Sequence, residues 1–235
     1  LRKGKLQAKR DLKSLALSPE HLCTHLPFNP HCRNCIVAKI KRKHARQRDA
    51  VQVALGMREL ERFGDKIIAD YQISKNKQSL GWRGETAGLL MKVLKAKFRA
   101  NYPAAGKSLF NTRVAFRHFA GRDWIGEVRI NTSPELIKAA QECDWPIQNT
   151  TPHEHETNAI IERALGVSKD GTRAALHQAG FPADMWPLAR PYFCNSRNFT
   201  FQGDIIPYKE RAGPGLFFLS DAVWHSSRHR LSFGF

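Results

Sequence analysis

The chain has 235 residues, 42% of them hydrophobic and 14 of them Phe, which excludes disorder throughout and leaves room for one α/β domain plus a small appendage. Its formal net charge of +17, from 38 Lys and Arg against 21 Asp and Glu, favours a polyanionic partner and points to nucleic acid. No apolar run approaches the roughly 20 residues of a membrane span, so no membrane partner is expected. Leu1 stands where a start Met would, and the basic first ten residues lack a signal-peptide apolar stretch. A segment of a longer translation product, not secreted, is the expectation.

Taken in chain order, residues 1–20 form a basic N-terminal segment, with Ser18-Pro19-Glu20 as a helix start. Residues 1–50 hold thirteen Lys or Arg against three acids, so +10 of the +17 lies there. Residues 21–48 carry a His/Cys cluster and a basic tail that includes Lys39, Lys41, Arg42 and Lys43. The spacing His21-x3-His25-x6-Cys32-x2-Cys35 offers two imidazoles and two thiolates, the four-ligand set of a tetrahedral Zn²⁺ site. The two histidines stand one helical turn apart and can face one side of a short helix. The Cys-x2-Cys pair predicts a tight turn, and Cys23 and His31 are alternative ligands. So short a unit builds no apolar core, so metal would supply its folding energy. Five cysteines, three of them clustered, suit a reducing compartment better than a disulfide framework. A connector over residues 49–62, with some helical character, leads to the main domain.

From Lys66 the pattern turns α/β. Lys66 to Ser74, Gly88 to Leu94 and Phe98 to Tyr102 predict three antiparallel strands, the first carrying the β-formers Ile67, Ile68, Tyr71 and Ile73. Ser108 to Ala120 predicts a helix from the spacing of Leu109, Val114, Phe116 and Phe119. Glu127 to Asn131 predicts a strand, and Ser133 then caps a helix through Ala140 with Pro134 at its first position. Pro146 to Thr150 predicts a fifth strand, followed by helices from Glu156 to about Leu165 and from Asp184 to Ser196. This succession of three strands, then helix and strand in alternation, is that of the ribonuclease-H-like fold, a mixed five-stranded sheet with flanking helices, although periodicity alone gives only the α/β class and the motifs narrow it. Trp82, Trp124, Trp145 and Trp186 are expected in the core or at its rim.

Phosphodiester cleavage and transfer by two Mg²⁺ or Mn²⁺ ions needs several anionic oxygens converging from separate elements. Asp70 on the first strand and Glu162 on a later helix are the candidates, and the end of the fourth strand, where a third carboxylate belongs, holds Asn131.

The residues that carry a family likeness are spread over residues 63–205. Phe63 to Asp70 resembles the segment bearing the first catalytic Asp of LTR-retrotransposon integrases, and Lys107-Ser108 with Phe116 to Phe119 resembles the helix after their third strand. Asn131-Thr132-Ser133-Pro134-Glu135-Leu136 resembles their Asp-Asn-small-Pro-Glu-Leu/Phe motif, and Asn158 to Arg163 their Asn-Gly-x-x-Glu-Arg. The resemblance implies a zinc-knuckle-like His-His-Cys-Cys segment followed by an integrase catalytic core over residues 63–205, with a polar stretch over Asn198 to Arg211. In the C-terminal tail, residues 206–235, the part beyond Gly213 matches no family segment and is expected to be either disordered or read-through from a damaged frame. It implies catalytic positions at Asp70, Asn131 and Glu162, with Mg²⁺ or Mn²⁺ on Asp70 and Glu162. It further implies DNA as the partner, a homo-oligomer and nuclear action. Lys107, Lys138, Arg163 and the Lys39, Lys41, Arg42, Lys43 run are the candidate phosphate contacts. Two departures stand out: Ala159 for the family's Gly, and Asn131 for its second Asp. Asparagine offers a neutral carbonyl and an N–H donor where a carboxylate offers negative charge. A degenerate copy with impaired strand transfer is therefore expected, and a non-catalytic DNA- or RNA-binding remnant is the alternative.

Overall fold

The computed structural model describes residues 11–39, 60–74, 76, 79–149 and 155–213. Three short helices come first: α1 (Leu12–Ala16), α2 (Pro19–Thr24) and α3 (Arg33–Lys39). Asp11 caps α1 by accepting from the Lys13 N–H, and Ser18 caps α2 by accepting from the His21 N–H at 3.3 Å, with Pro19 in the first turn. The Lys41, Arg42 and Lys43 positions and most of the 49–62 connector lie outside the described residues.

The sheet comprises β1 (Ile67–Ile73), β2 (Ala87–Val93), β3 (Arg99–Ala104), β4 (Val128–Ile130) and β5 (Ile147–Asn149), in the spatial order β3-β2-β1-β4-β5. The first three are antiparallel neighbours, and β4 and β5 join parallel to β1. The parallel pairs need crossovers, which α4 (Leu109–Ala120) and α5 (Pro134–Glu142) supply. All five predicted strands and both crossover helices are present, with ends moved by a residue or two.

Alternation along β1 sorts its side chains between two faces. Ile67, Ala69 and Tyr71 join Leu89, Met91, Phe116, Phe119 and Leu136 in the main core beneath α4 and α5. Ile68 turns the other way, packing with Leu90, Ile161, Ala164 and Cys194 under α6 (His155–Ala179) and α7 (Trp186–Phe199). Val114 lies outside this core, 49% exposed on α4. Trp186 is buried and Trp145 stacks on Phe116 at 4.8 Å, whereas Trp82 and Trp124 are exposed.

Helix α6 runs 14 residues beyond the predicted end near Leu165. Gly166, Ser168, Gly171 and Thr172 are weak helix formers, so local propensity favours an early stop. Packing overrides it: a Cβ on Gly171 would lie 2.0 Å from the Phe193 ring, so glycine is what lets α7 close on α6. Asn198 then seals the sheet edge. Its Oδ1 accepts from the Arg99 N–H at 2.9 Å and its Nδ2 donates to the Arg99 carbonyl at 2.7 Å, replacing the strand that β3 lacks.

The packed body continues past residue 205. Helix α8 (Pro207–Ala212) places Tyr208 against the main core, and Arg211 donates to the Phe119 and Ala120 carbonyls at the end of α4 while pairing with Asp123. The first part of the C-terminal segment thus forms a packed helix, Pro207–Ala212. Residues 214–235 lie outside the described residues.

Candidate functional site

Strand register builds the carboxylate site. Parallel pairing sets Ala69 beside Ile130, so Asp70, midway along β1, and Asn131, just past the end of β4, lie next to each other. Glu162 is exposed on α6, one position beyond Ile161, which anchors that helix in the second cluster. The Asn131 Nδ2 donates to Asp70 Oδ1 at 2.8 Å, and the same oxygen accepts from the Tyr71 N–H at 2.7 Å. The Asn131 Oδ1 accepts from the Ser133 N–H at 3.1 Å, turning the chain into α5. A flipped amide would set oxygen against oxygen and N–H against N–H, so this orientation is fixed by its neighbours. Ser133 is the N-cap of α5 with Pro134 in its first turn, as predicted, but its side chain bonds no α5 N–H and instead accepts from Lys107 Nζ at 3.5 Å.

Lys107 also lies over the Tyr71 ring at 5.4 Å. Burial pushes the Asp70 carboxyl above its ordinary value, and repulsion from Glu162 adds to the rise; the Tyr71 N–H and the Lys107 ammonium oppose it. Asp70 and Glu162 supply two acidic groups, with an amide N–H on Asp70, which is fewer anionic oxygens than a two-ion clamp needs. Of the other candidate phosphate contacts, Lys138 is exposed on α5 and Arg163 on α6, so they stand on different helices. Lys39 ends α3, and its side chain lies outside the described residues, as do Lys41, Arg42 and Lys43.

The His/Cys set is a compact second site. His21, His25, Cys32 and Cys35 are all buried, and their ligand atoms lie within 4.8 Å of one another. Cys32 Sγ is 3.5 Å from His25 Nδ1 and Cys35 Sγ is 3.4 Å from His21 Nε2. Tetrahedral Zn²⁺ with its usual bond lengths spans an N–S edge of roughly 3.6 Å, so the cluster fits that ion. Burial lowers the pKa of both imidazoles, favouring the neutral form that ligates metal.

Two details differ from the sequence reading. Only His21 lies within α2; His25 is its C-cap, in the left-handed region at φ 51°. Cys35 lies in α3 with Cys32 just before it, so a helix start rather than a tight turn presents the sulfurs. Cys23 and His31, the alternative ligands, fall outside the cluster.

Gln178 had no sequence signal. Near the far end of α6, its Oε1 lies 2.7 Å from His25 Nε2, which leaves His25 Nδ1 for the cluster. His177 bonds Asn34 of α3 beside it. The His/Cys segment is therefore docked on the helix that carries Glu162.

No protein-family model matches the chain, and no curated protein matches its sequence. Among solved structures, the catalytic core domain of BIV integrase is similar at a TM-score of 0.48 and 11% identity, over 69% of this chain and 99% of that one. A chain of the simian T-cell lymphotropic virus intasome, solved in complex with PP2A regulatory subunit B56 gamma, is similar at a TM-score of 0.55 and 12% identity, over 68% of this chain. This chain covers 58% of that one, so it spans little more than half of its length. The mixed sheet in the order β3-β2-β1-β4-β5, with helices on both faces, is the ribonuclease-H-like fold of the retroviral integrase cores.

Proposed function

We propose that this chain is a retroelement integrase-like protein that binds DNA and whose strand-transfer chemistry is impaired at Asn131. The observation that carries the proposal is the Asn131–Asp70 hydrogen bond of 2.8 Å, between β1 and the end of β4, where a metal-dependent transferase needs two carboxylates. Asp70 and Glu162 are the remaining acidic members of the site and would hold Mg²⁺ or Mn²⁺ weakly. Replacing one anionic ligand by an amide removes charge from the metal and sets a donor where an acceptor belongs. His21, His25, Cys32 and Cys35 would hold a structural Zn²⁺. Lys107, Lys138, Arg163 and the basic run from Lys39 through Lys43 would contact phosphate, in keeping with the net charge of +17. Self-association and nuclear action belong to the same proposal.

The same hydrogen bond favours a second reading, a DNA- or RNA-binding remnant without chemistry. Strand transfer on labelled duplex DNA with Mn²⁺, comparing this chain with Asn131→Asp, separates the two. Products from the variant at a rate at least tenfold above the parent, several kcal/mol being at stake in a lost metal ligand, are the expected result. DNA binding with no product from either protein selects the remnant. Equal activity in both would sink the assigned role of Asn131.

A further inference from the structure

A cluster of cations lies on the α6 and α7 side of the sheet, beside the carboxylate site: Lys92 pairs with Ile68, two residues before Asp70, and Arg163 follows Glu162. Lys92 and Arg99 are directly paired across β2 and β3, a like-charge cross-strand pair that is destabilising on its own. Arg163 of α6 and Arg197 of α7 join them around a pocket of about 500 Å³, within the range of small-ligand sites. Gln202 and the Leu26-Pro27 turn close its rim, and none of the described residues that line it is acidic.

Arg99 is only 5% exposed, and one guanidinium nitrogen donates to Gln202 Oε1 at 2.7 Å. Its Nε, like the Nε of Arg197, is buried with no hydrogen-bond partner among the described residues. A buried, unpaired guanidinium is costly, and buried charges are normally paired. Burial and then four cations (Arg99, Lys97, Arg163 and Arg197) push the Lys92 ammonium down to about 8. Every neighbour acting on Lys92 repels its charge. An anion in the pocket would offset this mutual repulsion.

We propose that this pocket binds a small phosphate-bearing anion, held by Lys92, Arg99, Arg163 and Arg197. Several converging cations call for a ligand with two or more charges, and the guanidinium fork matches phosphate oxygens. A phosphodiester within a duplex carries one charge and lies on a rod too wide to reach the nearly buried Arg99. A free or terminal phosphate group carries about two charges and enters. Arg163 is shared with the proposed DNA contacts, whereas Lys92, Arg99 and Arg197 belong to this pocket and stand apart from the proposed strand-transfer function.

The test is calorimetric titration and thermal unfolding of the full chain with inorganic pyrophosphate, against sodium chloride of matched ionic strength. Pyrophosphate is expected to bind saturably and raise the unfolding temperature beyond the chloride control. Lys92→Met is expected to raise the unfolding temperature of the ligand-free protein, by removing repulsion, and to weaken pyrophosphate roughly tenfold or more. Arg163→Gln, at an exposed position, is expected to cause a similar loss of affinity and serves if Lys92→Met fails to fold. Metal stripping by pyrophosphate would act equally on parent and variants. Pyrophosphate no better than chloride, or affinity unchanged in a folded variant, overturns the proposal. So does displacement of pyrophosphate by a duplex with 5′-hydroxyl ends, which would make the pocket a nucleic-acid contact.

Discussion

The Asn131 side chain makes one bond through each end of its amide: Nδ2 reaches Asp70 and Oδ1 takes the Ser133 N–H. An aspartate there keeps the second bond, loses the first, and sets a carboxylate against one that burial already disfavours. Without divalent metal, Asn131→Asp is therefore expected to be less stable than the parent by about 2 kcal/mol, the scale of a hydrogen bond to a charged group. A carboxyl whose folded pKa is raised destabilises the fold above that pKa and not below its unfolded value. The deficit is accordingly expected to shrink as pH falls through the carboxylate range, and Mn²⁺ is expected to reverse it at neutral pH. Thermal unfolding at two pH values, with and without Mn²⁺, checks both; a variant as stable as the parent without metal at neutral pH would refute the account. Asp70 and Asn131 each stand in a short motif of the chain, and the parallel pairing of β1 with β4 brings the two together. The role of Lys107 beside Ser133 and Tyr71 was not legible in the chain, because no local pattern encodes a contact between β3–α4 loop and α5 cap.

Among the elements, strands and crossover helices were legible from alternation and caps, whereas the length of α6 was not. Its second half carries polar and small residues whose helical state depends on α7, most directly where Gly171 faces Phe193. Gly171→Ala raises local helix propensity, by roughly 1 kcal/mol on its own. The added Cβ, however, falls at 2.0 Å from a buried ring, so overpacking should win and the net effect should be a loss of about 1–3 kcal/mol. Phe193→Leu frees that space at the cost of a cavity, so the double variant is expected to lose less than the sum of the two single ones. Chemical denaturation of the four proteins measures the coupling. Strict additivity would mean that the α6–α7 approach is not what holds glycine at this position. The edge of β3 was illegible for a similar reason. Asn198 is 99 residues from Arg99, and nothing in its surroundings announces that its amide stands in for a strand.

At the scale of the whole molecule, α6 joins the two candidate sites. Sixteen residues separate Glu162 from Gln178, about 24 Å of helix axis. One end faces the Asp70 region and the other holds His25 through Gln178 and Asn34 through His177. The four-ligand spacing was legible in the chain; its docking on α6 was not, since Gln178 is 153 residues from His25. The buried apolar cluster of the His/Cys segment consists of Ala16, Cys32 and Cys35, so two of its three members are candidate ligands and little other hydrophobic burial remains to hold the segment without metal. Chelation is therefore expected to abolish amide-exchange protection in residues 11–39 while the five-stranded sheet keeps its own. Cys35→Ser should reproduce that loss, and Cys23→Ser, outside the cluster, should not. Gln178→Ala leaves all four ligands in place but frees the His25 ring, so zinc affinity should fall by roughly tenfold, the lower end for loss of an outer-shell partner. Competition with a chromogenic chelator reads the affinity and hydrogen exchange reads the docking. If Gln178→Ala holds zinc as tightly as the parent, α6 does not orient His25, and the two sites are neighbours on one helix without being coupled through it.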